Sequence, residues 1–76
     1  MVRAYVLIEM MAGHARRLVD SLNSHEGVAD VARVTGPYDV IVVVEAKDVN
    51  AVSEIVSSAV HSQEGVVRTT TCVTLG

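Results

Sequence analysis

A short repeat divides this chain into two similar halves. Glu26-Gly27-Val28 recurs 38 residues later as Glu64-Gly65-Val66. Each copy follows a segment with helical periodicity and precedes a run rich in β-branched residues. A glycine just past the last helical residue is typical of a helix C-terminus. The repeat therefore predicts two strand–helix–strand halves within a single domain, residues 1–76.

The apolar spacing predicts two amphipathic helices, each about 12 to 15 residues long. Asp48 stands where the N-cap of the second helix belongs. The positions that should face the core follow the i, i+3, i+4, i+7 pattern in both halves: Ala15, Leu18, Val19 and Leu22, then Val52, Ile55, Val56 and Ala59.

Four strands complete the pattern, at about residues 2–10, 28–35, 39–46 and 66–75. Gly36-Pro37 supplies the tight corner between the second and third strands, since glycine frees the backbone and proline fixes φ. The order βαββαβ predicts an α+β, ferredoxin-like fold, a four-stranded antiparallel sheet with two helices on one face.

Composition indicates an aliphatic core and self-association. Half of the residues are hydrophobic, but Phe and Trp are absent and Tyr5 and Tyr38 are the only aromatic residues. A chain of this length buries only about 60 to 65% of its unfolded surface, so it is marginally stable alone. A small aliphatic chain of this kind is a good candidate for stabilisation by a second copy.

Strand alternation assigns side chains to two faces. One face should lie under the helices and is nearly pure aliphatic: Ala4, Val6, Ile8, Met10, Val28, Ala32, Val34, Val40, Val42, Val44, Val67, Val73 and Leu75. The opposite face also carries charges, at Glu9, Arg33, Glu45 and Arg68, which we expect to pair within or across an interface. Its apolar patch is too large for a monomer surface, so we predict that a partner sheet closes over it as a dimeric α/β barrel or sandwich. The predicted interface residues are Tyr5, Leu7, Val31, Arg33, Ile41, Val43 and Cys72.

Charge and residue types exclude several function classes. The net charge is −3 and the six basic residues are scattered, so direct nucleic-acid binding is not expected. The apolar runs are too short to span a membrane, and the single cysteine, Cys72, fits a reducing compartment, so we predict a cytoplasmic protein. His14, His25 and His61 have no partner at metal-ligand spacing. Neither a metal nor a cofactor is expected.

The corner between the second and third strands contains two side chains that a tight turn does not require. Tyr38 and Asp39 follow directly after Gly36-Pro37. An aromatic ring and a carboxylate at a turn fit either a small-ligand site or side chains that face solvent and bind nothing.

Three segments together resemble one known domain: the Val-Thr-Gly-Pro-Tyr-Asp hairpin (34–39), Glu-Ala-Lys-Asp (45–48) and Gly-Val-Val-Arg-Thr-Thr-Thr (65–71). With the order of elements, they resemble the effector-binding domain of the leucine-responsive/asparagine regulator (Lrp/AsnC) family over essentially the whole chain. The resemblance implies dimers that assemble further into rings, with an amino acid or related metabolite bound near the hairpin, between neighbouring dimers. Full-length members carry an N-terminal helix-turn-helix domain. Because Met1 stands at the module's first strand, we expect a stand-alone form that regulates transcription with a full-length paralogue.

The resemblance also implies a set of ligand-binding residues. Asp39 would accept from the ligand's ammonium group, and Tyr38 would wall the side-chain pocket. Hydroxyl groups of the last strand, with backbone N–H groups near Gly36, would hold its carboxylate. The full set is Thr35, Gly36, Pro37, Tyr38, Asp39, Thr69 and Thr71.

Two other functions share this layout. One is a small dimeric ferredoxin-like enzyme of the cofactor-free monooxygenase type, which a cavity lined by Tyr5, Arg33 and Cys72 would favour. The other is an ACT-type amino-acid-binding regulatory module, whose glycine-bearing first loop is weakly suggested by Met11-Ala12-Gly13. The absence of Phe, Trp and any histidine on a predicted strand favours a binding module over an enzyme.

Overall fold

The computed structural model describes residues 1–76. Its strands are β1 (Val2–Met10), β2 (Val28–Arg33), β3 (Val40–Ala46) and β4 (Val66–Val73). Helix α1 spans Ala15–Leu22, and helix α2 spans Val49–Ile55 and continues into a π-helical turn, Val56–His61, called here the π segment. The predicted order βαββαβ is confirmed.

The four strands form one antiparallel sheet in the order β2-β3-β1-β4. The central strand β1 pairs with β3, with Val6 opposite Val42, and with β4, with Val6 opposite Thr71. The helices pack on one face of this sheet, so the predicted ferredoxin-like α+β fold is confirmed. None of the helices has the length and apolar character needed to cross a membrane.

The core lies between the helices and the sheet face that they cover. Its 14 buried residues are all apolar, and no polar or charged residue is buried. Alternate residues of β1 and β3 supply more than half of it, because every second side chain of a strand points to the same face. The rest comes from the predicted helix stripes, with Leu18, Leu22, Val52, Val56 and Ala59 buried, and from Val60.

The two helices begin and end differently. The Asp48 side chain accepts a hydrogen bond from the Ala51 backbone N–H at 2.8 Å, which confirms the predicted N-cap. Helix α1 has only 8 residues, fewer than predicted, because Asn23 and Ser24 turn the chain before Gly27. The second helical stretch reaches the predicted length only through the π segment.

Both glycines of the repeat occupy backbone conformations that other residues avoid. Gly27 and Gly65 each have φ of +91°. A Cβ on Gly27 would lie 2.5 Å from Ile55 Cδ1, and one on Gly65 would lie 2.5 Å from His14 Cγ. The repeat therefore marks two strand starts where the backbone turns in the left-handed region and packs against a side chain.

Two register shifts correct the predicted face assignment. The β2–β3 register shifts between Val28 and Asp30, after which Val31 lies opposite Val42 and Arg33 lies opposite Val40. Because Val42 and Val40 face the core, Val31 and Arg33 lie on the helix-covered side, and Ala32 turns to the other face. The prediction that Val31 and Arg33 share the uncovered face is wrong, since one extra residue in a strand inverts every later side chain.

The second shift lies between β1 and β4. The register slips between Glu9 and Met10, so that Met10 lies opposite Val66. Val66 packs against the core, whereas Val67, predicted to face it, is 56% exposed. Leu75, also predicted to face the core, lies beyond the end of β4 and is fully exposed.

Candidate functional site

The hairpin between β2 and β3 is held against the end of β1 by Asp39. The Asp39 backbone N–H donates to the Ile8 carbonyl at 2.9 Å, and its carbonyl accepts from the Val34 N–H at 2.9 Å. Its carboxylate Oδ2 accepts from the Met10 N–H at 2.8 Å. One oxygen of the predicted ammonium acceptor therefore already has a structural partner, and Oδ1 has no hydrogen-bond partner within the chain.

Tyr38 reaches across the end of the sheet to the last strand. Its hydroxyl lies 3.2 Å from Thr70 Oγ1, in a part-buried hydrogen bond in which either hydroxyl can donate. Thr70 lies opposite Leu7, so it belongs to the face that the helices leave uncovered. Tyr38 is thus hydrogen-bonded to a residue of that uncovered face.

Thr69 and Thr71 point the other way. They lie opposite Ile8 and Val6, two fully buried core residues, and so face the helix side at the outer edge of the sheet. Thr69 Oγ1 is 3.0 Å from Nε2 of His61, the last residue of the π segment. Within one copy of the chain, these threonines and Tyr38 lie on opposite faces of the sheet.

A cavity of about 280 Å³ opens between the second helical stretch and β4. Five residues line it, Ser53, Val56, Ser57, His61 and Thr71, and four of them carry a polar group. It is called here the His61 cavity. Of the residues predicted to bind ligand, only Thr71 lines it, and Thr69 adjoins it through its hydrogen bond to His61.

The sequence prediction missed Ser53, Ser57 and His61. These three residues recur every four positions, and this spacing, which places them on one helix face, is the signal that could have found them. The amino-acid composition of the π segment, which contains Ser57 and His61, does not distinguish it from an α-helix. π-helical turns occur frequently at functional sites.

The uncovered sheet face carries an apolar patch, called here the sheet patch: Tyr5, Leu7, Ile41, Val43 and Cys72. These residues lie side by side on β3, β1 and β4, with Tyr5 opposite both Val43 and Cys72. Tyr5 is 38% exposed and Cys72 is also exposed. Five of the seven predicted interface residues therefore adjoin one another, whereas Val31 and Arg33 do not.

Two ion pairs lie on the same face as the sheet patch, one towards each end. Arg3 and Glu45 pair at 2.7 Å, and Arg68 and Glu9 pair at 3.0 Å. Hydrogen bonding from the guanidinium to Glu45, with a smaller contribution from Tyr5, raises the pKa of Arg3 above its ordinary value. The expectation of pairing within the protomer is thus met for Glu9, Glu45 and Arg68, and the face carries little net charge from these groups.

The cavity that would have favoured an oxygenase does not form. Arg33 lies on the helix side of the sheet, whereas Tyr5 and Cys72 lie on the uncovered face. No group of three or more His, Cys, Asp or Glu side chains is placed to hold a metal ion.

The family model of the Lrp/AsnC ligand binding domain matches residues 3–76, nearly the whole chain. The chain belongs to the Lrp/AsnC ligand-binding domain family. The resemblance carried by the hairpin and the threonine-rich last strand is thereby confirmed. This family is one of regulatory ligand-binding domains of transcription regulators.

Solved structures of similar shape agree with this assignment. The protein TTHA0845 from Thermus thermophilus is 36% identical, with a TM-score of 0.94, over 100% of this chain and 95% of that one. The hypothetical protein PHS023 from Pyrococcus horikoshii is 25% identical, with a TM-score of 0.90, over 100% of this chain and 92% of that one.

A longer relative contains the same fold as one part of its chain. The transcriptional regulator NMB0573 from Neisseria meningitidis, solved in complex with L-Met, is 21% identical with a TM-score of 0.83, over 99% of this chain and 50% of that one. At this identity the likeness concerns the fold alone. No curated protein sequence matches this Lrp/AsnC domain significantly.

Proposed function

We propose that this Lrp/AsnC domain binds an amino acid or a related metabolite and acts in transcription regulation through its assembly. The family match over residues 3–76 carries this proposal, because the family consists of regulatory ligand-binding domains. The L-Met complex of the Neisseria meningitidis regulator, which shares the fold, supports the ligand class.

Assembly through the sheet patch is the first element of the proposal. Strands of six to nine residues, spaced about 4.8 Å apart, give a face of roughly 25 Å by 19 Å, or about 500 Å² per copy. Two copies would bury about 1,000 Å², which is near the lower limit for a specific interface. Because Glu9 and Glu45 already have cationic partners within the chain, pairing two such faces leaves neither carboxylate unpaired.

A ligand site between copies is the second element. The Tyr38 hydroxyl is tied to the uncovered face, whereas Thr69 and Thr71 lie on the helix side. A ligand that contacts both Tyr38 and these threonines therefore takes them from two copies of the chain. Binding would then shift the assembly equilibrium, because the complete site exists only in the larger assembly.

The third element concerns the partner. We propose a cytoplasmic module that influences promoters by assembling with a full-length Lrp/AsnC paralogue and not by contacting DNA itself. The scattered basic residues and the net charge of −3 support indirect action. The Thermus thermophilus relative, matched over 95% of its chain, supports the existence of module-sized members.

A thermal-shift screen against the twenty amino acids at millimolar concentration tests the ligand. A compound present at 100 times its dissociation constant adds about 2.7 kcal/mol of stability. For a domain this small, the melting temperature rises by on the order of 10 °C. A selective rise with one or a few amino acids supports the proposal, whereas twenty flat responses contradict the amino-acid class.

Light scattering coupled to size-exclusion chromatography tests assembly. We expect at least a dimer at micromolar concentration, and a larger species when the stabilising amino acid is present. A monodisperse monomer under both conditions contradicts the interface. Recovery of a helix-turn-helix paralogue with the tagged module from its native cells tests the partner.

A further inference from the structure

The His61 cavity contains one titratable group, and that group can only add positive charge. Ser53, Ser57 and Thr71 are neutral, and Val56 completes the lining. Three exposed acids, Asp20 of α1, Glu54 of α2 and Glu64 in the turn before β4, do not line the cavity, and neither do Arg16 and Arg17 of α1. On β4, Arg68 pairs with Glu9 on the opposite face of the sheet. Because histidine changes charge between pH 5 and 8, the cavity is either neutral or positive.

Hydrogen bonding at His61 leaves donors available. Nε2 is 3.0 Å from Thr69 Oγ1, which fixes one side of the ring. The other ring nitrogen, Nδ1, has no partner within the chain, and it becomes an N–H donor when the ring is protonated. The hydroxyl groups of Ser57 and Thr71 lie in the same cavity and can also donate. An imidazolium beside two hydroxyl groups suits a carboxylate, which accepts charge-assisted hydrogen bonds.

The volume sets the size of the ligand. At about 280 Å³, the cavity lies at the small end of ligand pockets, which run from about 300 to 1,000 Å³. This size suits a small metabolite or one end of a larger one. The position at the edge strand also leaves room for the remainder of a ligand to extend towards a neighbouring copy.

We propose that the His61 cavity is the carboxylate subsite of this module, with His61 as the group that binds the carboxylate and Thr69 as the residue that orients its ring. This assignment rests on the proposed function for the identity of the complete ligand, but the subsite itself binds simple carboxylates. Binding strengthens as the pH falls, because only the protonated ring offers a second donor and a positive charge.

Titration of the ¹⁵N-labelled protein with sodium acetate tests the subsite. We expect the largest amide shifts at Ser57, His61 and Thr71, and binding about tenfold tighter at about pH 5.5 than at about pH 8. His61→Gln keeps a donor for Thr69 but cannot become charged, so acetate should bind with the weaker, pH-independent affinity. His25→Gln is the matched control, because His25 also follows a helix but bonds the Glu26 carbonyl away from the cavity.

A second variant protects the test against loss of folding. If thermal melts show that His61→Gln is unfolded, Ser57→Ala combined with Thr71→Val removes two donors and leaves His61 in place. This variant should weaken acetate binding while keeping its pH dependence. Shifts that centre elsewhere, or a pH dependence that survives in folded His61→Gln, overturn the proposal.

The same experiment separates this subsite from the broader function. Acetate binding at His61 with no response to any amino acid supports the subsite and contradicts the amino-acid effector. Stabilisation by an amino acid that leaves the amides of Ser57, His61 and Thr71 unshifted supports the effector and overturns the subsite.

Discussion

Two neighbouring residues of β1 show how differently the two sheet faces are used. Leu7 and Ile8 are both aliphatic, but Ile8 is fully buried under the helices, whereas Leu7 is only half-buried on the uncovered face. The same contrast extends to Val42 and Val43 in β3. One strand therefore supplies a closed core on one side and an unfinished apolar surface on the other. Both faces carry aliphatic residues. They differ because helices cover one face and leave the other uncovered.

The largest expected difference between the faces concerns stability. Ile8→Ala should lower the free energy of unfolding by about 2 to 5 kcal/mol, because it removes core atoms and leaves a cavity. Leu7→Ala should cost about 1 kcal/mol or less in the separated chain. Urea denaturation at low protein concentration measures both. Equal losses would mean that the two faces contribute alike to the fold of one copy.

The next effect concerns association. Val43→Glu places a charge opposite Tyr5, in the middle of the sheet patch, so the dissociation constant of the dimer should rise about a hundredfold, or about 3 kcal/mol. Val49→Glu, at an exposed position in the first turn of α2, is the control and should not affect association. Sedimentation of both variants against the native protein gives the constants. A dimer that tolerates Val43→Glu does not form through this face.

A smaller effect is expected at Asp39, where the hairpin meets the end of β1. Removing the acceptor of the Met10 N–H in Asp39→Ala should cost about 1 to 3 kcal/mol. Asp39→Asn keeps an acceptor oxygen and should cost less, while removing the charge proposed to meet a ligand ammonium group. Thermal melts with and without the stabilising amino acid separate the two roles. Full stability of Asp39→Ala would leave the carboxylate with ligand binding alone.

The smallest effect belongs to the ion pairs on the uncovered face. Arg68→Gln breaks the pair with Glu9, which is partly exposed, and should cost less than about 1 kcal/mol in the separated chain. The loss should shrink further at high salt, where exposed charges are screened. Denaturation in low and high salt checks this expectation. A large, salt-independent loss would contradict a solvent-exposed, weakly stabilising ion pair.

Alternation of side chains was a reliable guide only while the strands were regular. In β1 and β3, every second residue from Ala4 to Met10 and from Val40 to Val44 was predicted to face the core, and these residues are buried. Asp48 also caps its helix as predicted. In β2 the same argument fails after Val28, because a register shift against β3 turns Val31 inward. Such a shift depends on how two strands meet, and nothing in the composition of either strand encodes it.

The candidate site was predicted in part for a related reason. The hairpin and the threonines of β4 were recognised from local sequence, but the cavity beside Thr71 is completed by Ser57 and His61. Those two residues meet β4 only because the second helical stretch lies along it and ends in a π-helical turn. The contact between the second helical stretch and β4 was therefore not predicted, because each of them, taken alone, has the sequence of an ordinary exposed surface.

The sequence by itself determined the order of elements, the aliphatic core and the family, because hydrophobic period, capping residues and turn residues are local properties of the chain. The tertiary structure decided the face on which Val31 and Arg33 lie, the partner of the Asp39 carboxylate and the cavity at His61. These features depend on register and on the packing of elements distant in sequence. A shift of a single residue changes them without changing the pattern from which the fold is predicted.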